Sequence, residues 1–69
     1  MMSRVRVTAV NRGRSVKRVT LLDVAATDTD DYLQRVAMVA TREDRSSLFG
    51  ASVTRYQDEG AAIVTLHTD

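Results

Sequence analysis

Sixty-nine residues with no cysteine and a single histidine leave room for one domain, 1–69, exclude a disulfide framework and argue against a structural zinc site. A chain this short buries only about 60 % of its unfolded surface. Its core then supplies roughly 3–5 kcal/mol, so with the usual staples missing we expect self-association, as a homodimer, or association with another protein.

Residues 3–10, SRVRVTAV, alternate strictly, the pattern of a half-buried strand. Val5, Val7 and Ala9 share one face; Arg4, Arg6 and Thr8 share the other. The next four residues, Asn11, Arg12, Gly13 and Arg14, read as a turn in which Asn and Gly supply positive φ. A second strand follows over 16–25 and pairs with the first as an antiparallel hairpin. Val19 and Leu21 belong to its inner face, Arg18 and Thr20 to its outer face. Leu22 and Val24 break the pattern, because they share the parity of Arg18 and Thr20. Either a bulge switches the phase there, or that end of the strand is covered on both sides, by the 43–50 loop or by another subunit.

The stretch 27–42, TDTDDYLQRVAMVATR, is the one segment with helical periodicity. Tyr32, Leu33, Val36, Ala37 and Ala40 fall on one face of a 3.6-residue period, and Gln34, Arg35, Thr41 and Arg42 fall opposite. Thr27, Asp28 and Thr29 all suit the N-cap, and Asp28, Asp30 and Asp31 place negative charge at the positive end of the dipole. The apolar stripe stops at Ala40, so the helix ends near Arg42. The rival reading runs it to Leu48, with Gly50 as a left-handed cap. Met38 sits on the polar side, either tucked under a loop or offered to a partner.

A third strand, 48–57, carries Phe49, Ala51, Val53 and Arg55 on one parity. Tyr32 and Phe49 are assigned to the core. Asp58, Glu59 and Gly60 form a turn, with Gly60 in a left-handed or bulge conformation. The last strand, 61–68, points Val64 and Leu66 inward and Ile63, Thr65 and His67 outward. The order is β-β-α-β-β, which predicts an α+β fold: a four-stranded, mostly antiparallel sheet with one helix on one face.

Chemistry is mostly absent from this pattern. His67 stands alone near the C-terminus, and the three serines at 46, 47 and 52 have no base partner in the sequence. The run Asp28, Thr29, Asp30, Asp31 resembles the start of a calcium loop but lacks the glycine and glutamate that complete one. The three glycines are isolated, so no phosphate loop exists. We expect no catalytic residues, no metal site and no cofactor. No apolar run approaches the ~18–20 residues that cross a bilayer. The N-terminus reads as a strand, not a signal peptide. The expectation is a soluble cytoplasmic protein without a membrane partner.

Charge is the positive feature. Residues 1–22 hold Arg4, Arg6, Arg12, Arg14, Lys17 and Arg18 and no acid, whereas 23–69 hold four bases and nine acids. The first hairpin is a basic ribbon on an acidic body. Such a ribbon can track phosphates or enter a DNA groove. Net charge is only +1, however, and no aromatic side chain is interleaved for base stacking. Arginine supplies nine of the ten cations, as a GC-rich coding sequence would, which weakens the cluster as a sign of phosphate binding. The same six residues suit an acidic protein surface, with Leu22, Val24 and Met38 as candidate apolar contacts. The leading reading is a non-catalytic protein-interaction module of regulatory or accessory kind; the alternative is nucleic-acid binding through the hairpin.

Overall fold

The computed structural model describes residues 4–56 and 60–68. Strands β1 (Arg6–Arg12), β2 (Val16–Leu22), β3 (Gly50–Tyr56) and β4 (Ala61–His67) form one sheet in the order β1-β2-β4-β3. Every neighbouring pair is antiparallel. Helix α1 (Asp30–Thr41) contacts all four strands. The expected α+β architecture is therefore the observed one.

The core is one seam. Val19 and Leu21 of β2 face Val64 and Ala62 of β4, and Leu66 extends the row. Leu33 and Ala37 of α1 close it from above. Val19, Leu21, Val64 and Leu66 are the residues whose alternation marked them as inward-facing; Ala62 joins them. Cross-strand partners share a face, so Ala51 and Val53 of β3 join the same side through Leu66 and Val64.

β1 departs from strict alternation. Val7 pairs with Leu21 but Ala9 pairs with Thr20, so Thr8 is an extra residue and the phase reverses across it. Val5 and Val10 pack against the core, while Ala9 turns to the opposite, uncovered face. The Thr8 hydroxyl donates to the Thr20 carbonyl at 3.3 Å. The bulge thus lies in β1, not at Leu22 and Val24. There β2 simply ends. Asp23 takes a left-handed conformation with φ 60, and Val24 swings back to pack on the core, its N–H bonded to the Gly60 carbonyl at 2.7 Å.

The first turn also differs. Asn11 and Arg12 stay in β1, paired with Arg18 and Lys17. Among the described glycines, Gly60 alone has a positive φ, 61; Asp58 and Glu59, the rest of the expected second turn, lie outside the described residues. Gly13 is needed for space instead. A Cβ there would meet the Val16 carbonyl oxygen at 3.0 Å, and that same carbonyl accepts from the Gly13 N–H.

Thr29 caps α1 by accepting from the Tyr32 N–H. Thr41, expected on the polar side, is buried. Its hydroxyl donates to the carbonyls of Ala37 and Met38, so a core position is filled without an unpaired polar atom. Arg42 ends the helix at φ 60. Its N–H reaches the Val39 carbonyl and the Glu43 N–H reaches that of Met38, the paired bonds of a Schellman cap. Glu43 then turns to Lys17, 3.2 Å away. Gly50 opens β3 and caps nothing. A left-handed arginine is strained relative to glycine. Arg42→Gly is expected to stabilise the fold by ~0.5–1 kcal/mol, visible as a rise of a few degrees in Tm; a fall would contradict this account of the cap.

Candidate interaction surfaces

Three surfaces stand out: the open face of the sheet, its two edges and the tip of the first hairpin. The open face follows from having one helix. Rows of cross-strand partners run across it: Asn11, Arg18, Thr65 and Ser52; then Ala9, Thr20, Ile63 and Thr54. Leu22 and Tyr56 continue it toward one end, Val16 and His67 toward the other. Leu22 and Ile63 are half-buried by their neighbours alone. The face is smooth, β-branched and weakly charged, with Arg6 and Arg18 toward its β1 side.

The six basic candidates do not form one patch. Arg6 pairs with Asp23 at 2.6 Å across the base of the hairpin. Lys17 lies on the helix side, opposite Leu66, and its pair with Glu43 is mostly shielded from solvent. Arg12 shares a row with Lys17, while Arg18 emerges on the open face and Arg14 on the turn. Arg4 precedes β1 and is exposed. Among the described residues Arg4, Arg12, Arg14 and Arg18 have no ion-pair partner; the last three lie toward the hairpin tip and Arg4 lies at its base.

The three apolar candidates also separate. Leu22 faces the open side, whereas Val24 packs on the core from a loop. Met38 is half-buried against the core and lines a shallow groove of about 210 Å3 between α1 and β3, with Leu48, Phe49 and Ala51. Phe49 overturns an expectation. It is 79 % exposed rather than in the core, and it lies just before the start of β3. Val39 is 80 % exposed on the outer side of α1. No periodicity could have found Phe49, whose parity matches Ala51 and Val53.

Arg55 carries a structural role that its place on an inward-facing parity hinted at without revealing. Its guanidinium bonds Asp30 at 2.7 Å and the carbonyls of Asp28 and Ala25. It ties the loop before α1 to β3. It also lines a cleft of about 450 Å3 beside Val24, Ala26 and Gly60, where it is the charged member among the described residues and is already engaged. On the far side of α1, the Ser46 hydroxyl, with backbone N–H groups of 46 and 47, holds the Asp44 carboxyl below the usual carboxylate range.

Among the described residues no group of three or more His, Cys, Asp or Glu could hold a metal, and no helix is long and apolar enough to cross a membrane. Comparison with protein-family models, curated proteins and solved structures finds no match to the chain.

Proposed function

We propose that this is a small cytoplasmic, non-catalytic protein-interaction module that self-associates and presents its sheet to another protein. The observation that supports the reading best is the uncovered sheet face. A lone helix protects one side, and the other leaves Leu22, Ile63 and Tyr56 facing outward, Ile63 between Thr20 and Thr54, with Arg6 and Arg18 as the charges toward the β1 side. Surfaces of that composition suit protein contact better than phosphate contact. The small core adds a thermodynamic reason, since assembly supplies burial that 69 residues cannot.

Nucleic-acid binding is the second reading, and one observation favours it: Arg12, Arg14 and Arg18 surround the hairpin tip without ion-pair partners among the described residues. Molar mass by light scattering, at low and moderate salt, with and without a DNA duplex, separates the two. The interaction reading expects a stable dimer that ignores DNA. A monomer that forms a salt-sensitive DNA complex, weakened by Arg12→Ala with Arg14→Ala, would replace it with the second.

A further inference from the structure

The two edges of the sheet are not equivalent. β1 is blunted: the bulge at Thr8 interrupts its ladder, and Arg6 and Arg12 stand along it. Bulges and charges are the devices that keep an edge from pairing. β3 has neither. Its register against β4 runs unbroken from Gly50 to Tyr56. Its single charged residue, Arg55, turns to the helix side and is compensated by Asp30. An edge strand of seven regular residues with no bulge, no proline and no free charge is a template for another strand.

We propose that β3 pairs antiparallel with β3 of a second copy, joining two sheets into one of eight strands. The inference rests on the reading that the chain self-associates, and it names the surface. A second copy fits better than a foreign strand because the edge is complementary to itself. Full overlap of the two seven-residue strands puts the two-fold axis at Val53. Ser52 then faces Thr54 of the second copy, and Gly50 faces Tyr56 of the second copy. All four lie on the open face. Gly50 has an empty position where a Cβ would be, with nothing within 4 Å, and the Tyr56 ring is 45 % exposed. A cross-strand aromatic covering an edge glycine is a recurrent stabilising pair. Full antiparallel overlap of two β1 strands would set Arg6 against Arg12 of the second copy, like charge against like. The neutral β3 edge avoids that. The axis stands perpendicular to the sheet, so both helices fall on one side and the open faces merge on the other.

The test uses the full chain, with molar mass measured across a concentration series and amide exchange measured residue by residue. The wild type is expected to be a dimer in which the β3 amides pointing away from β4 are protected and the corresponding β1 amides are not. Ser52→Glu with Thr54→Glu places like charges opposite each other at exposed sites, and should raise the dimer dissociation constant about a hundredfold. Gly50→Val, which meets open space in the monomer, should weaken the dimer by displacing the Tyr56 ring; it decides the matter in the same way if the double variant fails to fold. Leu22→Asp should leave this dimer intact. A dimer that survives the β3 changes but dissolves with Leu22→Asp would overturn the edge pairing in favour of face-to-face packing, and self-association would stand. A wild type that stays monomeric throughout the series would overturn both.

Discussion

Leu33→Ala is expected to leave most of the chain unfolded at physiological temperature. Of the five largest fully buried side chains, Leu21, Leu66, Val19 and Val64 belong to the two central strands. Leu33 is the one supplied by α1. The helix otherwise meets the core through Ala37, the buried Thr41 and partly exposed neighbours. Truncating a buried leucine costs ~2–5 kcal/mol through lost transfer energy and the cavity left behind. That rivals the roughly 3–5 kcal/mol available to a core of this size. Urea denaturation followed by circular dichroism, at fixed protein concentration, measures the loss directly. A change below about 1 kcal/mol would mean that the helix is held to the sheet by something other than this side chain.

Arg55→Ala should be the most damaging change among the charged residues. The fork bonds the carboxylate of Asp30, the first residue of α1, and the carbonyls of Ala25 and Asp28 in the loop before it. The side chain is 28 % exposed, so solvent screens part of the interaction. A loss of ~1–2 kcal/mol follows from charge-assisted bonds at a partly buried site. Arg55→Lys should recover only part of it, because an ammonium cannot span three acceptors in one plane. Asp30→Asn should cost less than Arg55→Ala, since the bonds to the carbonyls survive. Thermal unfolding ranks the three variants, and faster amide exchange at Asp28, whose N–H bonds the Ala25 carbonyl, places the damage in the loop. Equal losses in Arg55→Ala and Asp30→Asn, with Arg55→Lys close to the wild type, would mean that the ion pair alone matters.

Much of this arrangement was legible in the residues. Alternation in β2 and β4 identified Val19, Leu21, Val64 and Leu66, because a residue period of two maps directly onto two faces. The helix announced itself through Thr29 and its aspartates, and its end through the stop of the apolar stripe at Ala40. What escaped were events that leave no periodic trace. The β1 bulge interrupts a perfectly alternating stretch; an extra residue in a run of Val, Thr and Ala looks the same as an ordinary one. Arg42 and Asp23 adopt left-handed backbone where glycine would have been the recognisable signal. Thr41 is polar by composition and apolar by environment, because its hydroxyl is satisfied within its own helix. The candidate surface was only half visible. The hairpin's charge was plain, but the pairing of Arg6 with Asp23 and of Lys17 with Glu43 depends on residues brought in from outside its strands.

The strand order has a kinetic consequence. β1 with β2, and β3 with β4, are hairpins whose strands lie close together in the chain, and such units form in about 1–10 μs. The β2–β4 seam joins residues far apart, from Leu21 with Ala62 to Val16 with His67, and α1 must be laid down between them. Val19, Leu21, Ala62, Val64 and Leu66 all lie on that seam. Neither hairpin therefore owns a core of its own. Each offers one wall of it, and the walls become a core only when the most distant contacts in the chain close. Loop-closure entropy comes due before any reward, which slows folding relative to a helical chain of the same size. The same arrangement makes the transition all-or-none, because no half of the molecule is worth keeping without the other.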